Sequence, residues 1–242
     1  HPTLELLFTT GEEHFCVGAK AFDAERLQSK TAYVMDLSGP VGDCAVAAPT
    51  LITFSAEVVG KAAHAGFAPE DGVHAIQVAA AAVANLPSGR WGDVTVNVGT
   101  ISGGRATNIV PDSCTVTGEI RALCHQDALD RLNEIHSEFV EQAQAVDAKL
   151  NFNHTIHITG YRVDTDAPVA QRFRRACAAV GVAPRFTDTY GGSDCNILSA
   201  HGIQGLVVAT AMNNCHAVNE YTTVEELCKA GRLAQALMEK QD

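Results

Sequence analysis

No stretch of this chain approaches the roughly 20 consecutive apolar residues that a helix needs to cross a bilayer. That excludes a helical membrane span within the 242 residues. A signal peptide, with its charged start, apolar middle and small-residue end, is not visible either. None of the eight cysteines stands in a C-x-x-C pair, so zinc-ribbon and thioredoxin-like readings fail. Thiols scattered through a chain of this size read as free and partly buried in a reducing cytosol, not as a disulfide framework. The expected location is therefore the cytoplasm. Positive charge is scarce: 17 Lys and Arg stand against 28 Asp and Glu, a formal net charge of -11. That argues against nucleic acid or an anionic membrane surface as a partner and favours a role for cations. The chain opens on His1, not Met, and runs almost at once into a strand-like stretch. The expectation is that its natural start lies upstream.

What is present is a globular mixture, 46% hydrophobic and 19% charged, with material for one large or two ordinary domains. Leu4-Glu5-Leu6-Leu7-Phe8 is a short, mostly apolar run that reads as a strand buried on both faces. Thr9-Thr10-Gly11-Glu12-Glu13 follows, a turn carrying two adjacent carboxylates. On its own such a pair is more often a solvated acidic turn than a site. Val17 to Leu27 is weakly helical. Thr31 to Met35 reads as a second buried strand ending in Asp36, followed by the turn Leu37-Ser38-Gly39-Pro40.

Around residue 50 the pattern changes to alternation, which marks strands with one wet face. It runs through Ile52 to Val58, Val94 to Val98, Cys114 to Arg121 and Leu150 to Ile158. Two helices interleave. One is the Ala-rich stretch from Ala75 to Leu86. The other runs from Gln126 to Val146, with Leu129, Leu132, Ile135, Phe139, Ala143 and Val146 on one stripe. Strand, helix, strand, strand, helix, strand is the split βαβ, ferredoxin-like order. From Tyr161 the buried style returns: a helix over Pro168 to Val180, a short helix from Ser193 to His201 and a third buried strand, Gly205 to Ala209. A loop with His216 follows, then a closing helix opened by Thr223 and Glu226. The fold class expected is α/β. Residues 1–49 and 161–242 are expected to form one α/β domain, interrupted by a smaller α+β domain at 50–160.

In an open sheet, ligands bind outside the carboxyl ends of the strands. Glu12 with Glu13, Asp36 and His216 each follow a buried strand. Two carboxylates and an imidazole suit Zn²⁺, with Mn²⁺ or Co²⁺ also possible. One Glu of the pair can ligate while the other takes a proton from water whose pKa the metal has lowered to about 7. Singly, His216 is equally an ordinary surface residue and Asp36 a turn-binding one.

Five stretches together resemble the M20 family of zinc peptidases. They are Thr9 to Glu13 with Asp36; Lys61 to Gly72; Gly103-Gly104 to Asp112 with Gly118 to Arg121; Gly191 to Asn196; and Cys215 to Glu220. The last two look like its peptidase T-like branch. The resemblance runs over nearly the whole chain. It implies a zinc-exopeptidase-type domain with an inserted lid that also dimerises, and two zinc ions per complete subunit. By position it implies Glu12 as general base, Glu13 and His216 on one metal and Asp36 on the other. His64 resembles a lid residue that reaches the partner subunit's site and steadies the oxyanion. Asn108 and Arg121 resemble residues that hold the substrate through its carboxylate. A planar guanidinium on a wet strand face suits that role, and suits a surface ion pair equally. Gly191 and Gly192 would let the backbone approach the substrate. The family's other two ligands, a His in an H-x-D sequence and a bridging Asp, would precede His1. As it stands, the chain is expected to bind zinc poorly and catalyse little. His14-Phe15-Cys16 also departs from the small or Gly-containing sequence usual after the Glu pair.

Three readings follow. The first is an exopeptidase acting on short peptides in an aminopeptidase or tripeptidase manner, working as a homodimer. The second is an amino-acid N-deacylase of the same fold. The third is a non-catalytic fragment or dimerisation module.

Overall fold

The structure is a computed structural model that describes residues 3–239. In chain order its elements are helix α1 (Val17–Ala21) and strands β1 (Thr31–Ser38), β2 (Asp43–Ala48) and β3 (Thr50–Val59). Helix α2 (Ala75–Asn85), strands β4 (Gly89–Trp91), β5 (Val94–Gly103) and β6 (Ser113–Ala122), and helix α3 (His125–Gln144) come next. Then come β7 (Lys149–Ile158), β8 (Tyr161–Arg162), α4 (Pro168–Ala179), β9 (Arg185–Asp188), α5 (Asp194–Ala200), β10 (Gln204–Met212) and α6 (Val224–Met238). The chain divides into two compact units, 1–49 with 158–242, and 50–157.

In the discontinuous unit, β1 pairs parallel with β10. β10 pairs antiparallel with β2, which in turn takes β9 parallel and β8 antiparallel. The sheet is therefore mixed. β2 is buried at every residue and β10 nearly so. They form the centre of a core with Phe173, Cys177 and Val169 of α4 and Leu233 and Leu237 of α6. α4 begins at Pro168, whose missing N–H suits a first helical position. In α5, Ser193 and Asn196 form a reciprocal capping box. The buried Asn196 amide also donates to the carbonyls of Pro49 and Thr159 at 3.1 and 2.9 Å.

Three sequence expectations change here. Leu4 to Phe8 is not a buried strand: Leu6 and Phe8 are 68% and 89% exposed and the run carries no strand pairing. An extended segment becomes a strand only by pairing. What this one makes is a side-chain anchor: the Glu5 carboxylate accepts the N–H groups of Gln28 and Ser29 at 3.1 and 2.7 Å. β1 is likewise no buried strand. It lies at the end of the strand order and its residues are half-buried or exposed. Asp36 does not follow β1 but lies inside it. β2, β8 and β9 are strands that periodicity did not reveal.

The continuous unit shows the expected split βαβ order, with its strands arranged β4-β5-β6-β3-β7. β3 and β6 pair antiparallel along ten residues each. One face buries Ile52, Phe54, Ala56 and Val58 of β3 against Ala79 and Ala82 of α2 and Leu132, Ile135 and Phe139 of α3. The other face carries Thr53, Ser55, Thr117, Glu119 and Asn153, which line an open concavity of about 410 Å³. Phe54 and Phe152 stack at 6.0 Å between centroids and tie β7 to β3.

Candidate active site

Glu12 and Glu13 sit in a turn made by Gly11, which takes a left-handed φ of 66°. The N–H of Cys16 donates to Glu12 O at 2.8 Å and that of Gly18 to Thr10 O at 2.9 Å. These bonds fold the turn back on itself. A Cβ at Gly18 would stand 2.3 Å from Thr10 O, so only glycine lets the backbones meet. Phe15 and Cys16 also take left-handed conformations, at φ 60° and 59°. For residues with a Cβ this is strained by ~1–2 kcal/mol each, and such strain persists only where the surroundings enforce it.

Asp36 lies where β1 is irregular. Val34 pairs with Val207 and Leu37 with Ala209, so Met35 and Asp36 together oppose Val208. Bulges of this kind re-aim side chains beside sites. His216 occupies the loop after β10, which is closed by the Asn213–Tyr221 bridge. It too has a positive φ, 64°, and its N–H donates to Glu220 at 3.1 Å. Its Nδ1 stands 3.5 Å from Glu13 Oε1.

The electrostatics tie these segments together. Burial pushes the Glu12 carboxyl upward, and the charges of Asp36, Glu13 and Asp194 push the same way, against a lowering bond from Cys16. Burial raises Asp36 as well, then Asp194 and Glu13, while His216 lowers it. Thus Glu12, Glu13, Asp36 and His216 form one cluster with a surplus of negative charge. Among the described residues, however, no three His, Cys, Asp or Glu side chains converge closely enough to hold a metal ion.

Because Glu12 titrates above its ordinary value of 4.5 in the fold, its protonated form is favoured there. The stability it contributes is present at low pH and lost as pH rises through the raised value. With chelator present, Glu12→Gln is expected to melt at a higher temperature than the parent protein at pH 7. The gap should close below about pH 4. Equal melting temperatures at pH 7 would refute this crowding.

Cys16 and Asp194 were not anticipated as neighbours of Glu12. Cys16, 2% exposed, donates from Sγ to Glu12 Oε1 at 3.8 Å. Burial, with the charges of Asp194 and Glu12, pushes its thiol up to about 12. Asp194 is buried at the start of α5 and accepts a bond from the Thr9 hydroxyl. The signal available in the sequence was its place in the stretch Gly191 to Asn196, directly before an apolar run.

The remaining residues are placed as follows. In the continuous unit, His64 Nδ1 accepts the N–H groups of Gly66 and Phe67 at 3.1 and 3.2 Å. In the neutral ring that leaves the proton on Nε2. The ring stacks on Phe67 at 4.2 Å. Asn108 is exposed and its carbonyl accepts from Ala65 at 3.0 Å, so Asn108 and His64 belong to one loop cluster. Arg121 is engaged: its guanidinium donates to Glu119 at 2.9 and 3.4 Å. In the other unit, Gly192 is explained by packing, since a Cβ there would meet Ile158 at 2.2 Å, whereas Gly191 has ordinary room.

The sequence profile of the M20 peptidase dimerisation domain matches residues 46–147. The aminopeptidase PepT of Bacillus cereus ATCC 10987 superposes with a TM-score of 0.90. It is 36% identical, over 95% of this chain and 62% of that one. These matches bear out the resemblance to the M20 family, on its peptidase T-like branch. A tripeptidase of Staphylococcus aureus Mu50 is also similar to this chain, with a TM-score of 0.91 and 28% identity over 95% and 61% of the two chains. The YXEP protein of Bacillus subtilis, described as a dinuclear metal binding peptidase from the M20 family, shares the fold. Its TM-score is 0.74 at 18% identity, over 95% and 62%. The chain spans about three fifths of the length of each. Two sequence relatives are covered to 65% and 59%.

Proposed function

We propose that this chain is the greater part of a metal-dependent exopeptidase that cleaves short peptides. The observation that carries the reading is the Glu13–His216 pair at 3.5 Å, set in a cluster where burial and neighbouring carboxylates raise Glu12 and Asp36 while His216 lowers Asp36. Carboxylate oxygens and an imidazole nitrogen fit a zinc-type ion, with cobalt or manganese as substitutes. Glu13 and His216 would hold one ion and Asp36 a second, a donor set that needs further ligands to be complete. When bound, the metal supplies a water of lowered pKa and a polarised substrate carbonyl.

The chain's own residues supply the rest. Glu12 receives the proton of the attacking water and passes it to the leaving amine, and burial with the neighbouring carboxylates raises its proton affinity, which favours that uptake. His64, with its proton on Nε2, is a donor to the oxyanion developing in the partner subunit's site. Asn108 and Arg121 hold the substrate carboxylate, which takes the place of Glu119 on the Arg121 fork. Gly191 and Gly192 edge the substrate channel. The unit 50–157 forms the homodimer. Eight free cysteines fit a reducing compartment, and we place the protein in the cytoplasm. No helix among the described residues is long and apolar enough to cross a membrane.

The test is a substrate panel on the natural full-length protein after chelation and reloading with Zn²⁺, Co²⁺ or Mn²⁺. Release of the first residue from tripeptides, lost on chelation, is the expected result. Cleavage confined to N-acyl amino acids would convert the reading to a deacylase. No cleavage of either class would leave a non-catalytic dimerisation module.

A further inference from the structure

We propose that Asp194 is a positioning residue. Its buried carboxylate grips the Thr9 hydroxyl and anchors the turn that carries Glu12 and Glu13 onto the start of α5. The inference rests on reading those glutamates as base and ligand. Three independent features lead to it. Thr9 and Asp194 are 185 positions apart, and their side chains make a direct hydrogen bond through Oδ2. The other oxygen, Oδ1, is shut off from solvent and has no hydrogen-bond partner. A buried, half-satisfied carboxylate is unfavourable, and a site that needed only to be filled would hold an apolar residue. The turn itself is strained at Phe15 and Cys16, a conformation that must be enforced from outside.

The geometry shows what the anchor enforces. Thr9 is the residue next to the tight Thr10–Gly18 approach. From there the turn runs through Gly11 to Glu12, whose carboxylate meets the buried Cys16 thiol at 3.8 Å. Holding Thr9 fixes the entry of the turn, and the Cys16 side chain packs beneath its exit. The pair Glu12 and Glu13 lies between the two fixed points. α5 is a rigid platform for this purpose, with its capping box and the Asn196 bonds to Pro49 and Thr159. Asp194 holds the entry of the turn through Thr9, and its charge also bears on Glu12 and Asp36.

Three variants test the anchor. Thr9→Val removes the donor at constant shape, Thr9→Ser keeps it, and Asp194→Asn keeps an acceptor oxygen. In Thr9→Val, backbone amides of residues 10–18 are expected to exchange with deuterium at least tenfold faster. Cys16 should become reactive to a maleimide, with exchange in α5 and β10 unchanged. Thr9→Ser and Asp194→Asn should both behave as the parent does. In the peptide-cleaving full-length protein, Thr9→Val should lower kcat at least tenfold with KM within twofold, and Thr9→Ser should restore it. Parental exchange and thiol protection in Thr9→Val would overturn the anchor, as would failure of Thr9→Ser to restore them. If the parent protein cleaves no peptide, the proposed function falls, while exchange and thiol reactivity still decide the anchor.

Discussion

Glu12→Gln in the full-length protein is expected to lower kcat by ~10²–10⁴-fold, the usual contribution of a positioned general base, while metal content stays at the parental level. The argument is one of geometry and charge. Gln keeps the shape of the side chain and can still accept the Cys16 thiol bond, so the turn is preserved. It cannot take a proton. Glu13, one residue on, keeps its 3.5 Å approach to His216, so the ligand pair is preserved too. Metal analysis and kinetics on the same sample separate the two jobs. Loss of metal with turnover intact per bound ion would reverse the assignment of base and ligand. A kcat within threefold of the parent would remove Glu12 from the chemistry.

Truncating Phe139 or Phe173 to alanine is expected to destabilise the unit that contains it by ~3–5 kcal/mol. Both side chains are fully buried, with 0% exposure, and they lie in separate cores. Against a total stability of ~5–15 kcal/mol, either loss is severe. Peptide-resolved hydrogen exchange reads the effect by location. Phe139→Ala should speed exchange in β3 and β6 and leave β10 and α4 near the parental rate. Phe173→Ala should do the reverse. Equal acceleration everywhere after a single substitution would mean one cooperative core instead of two.

These cores also show where the sequence was legible. The alternation from Ile52 to Val58 and the stripe Leu132, Ile135, Phe139 and Ala143 are local consequences of strand and helix periods, and the structure keeps them almost residue for residue. β2 was invisible because Asp43-Cys44-Ala45-Val46-Ala47-Ala48 has neither alternation nor β-branched richness. Burial on both faces made it a strand. β9 is four residues long and exists through its pairing with β2. Leu4 to Phe8 failed for the opposite reason: it has the composition of a strand but no partner among the described residues. The site divides in the same way. Glu12, Glu13, Asp36 and His216 read from the sequence as residues following strands, yet the Glu pair follows a run without strand pairing and Asp36 lies inside β1; only His216 stands in a loop after one. The bulge that sets Asp36 is a matter of register with β10, and the link from Thr9 to Asp194 joins residues 185 positions apart. No local pattern encodes either one.

The placement of β3 and β7 beside each other bears on how the chain assembles. Thr53 Oγ1 and His157 Nε2 meet at 2.8 Å, so the two ends of the 50–157 unit emerge as neighbours. Before that unit forms, joining the two pieces of the other sheet means closing a disordered loop of about a hundred residues, an entropic penalty that grows with the logarithm of loop length. Once it forms, the same closure spans only a few residues. The inserted unit is continuous in sequence and rests on nearer contacts, the kind that fold fastest. It therefore acts as an internal template. Refolding should show protection arising first in β3, β6 and α3, and only afterwards in β2 and β10.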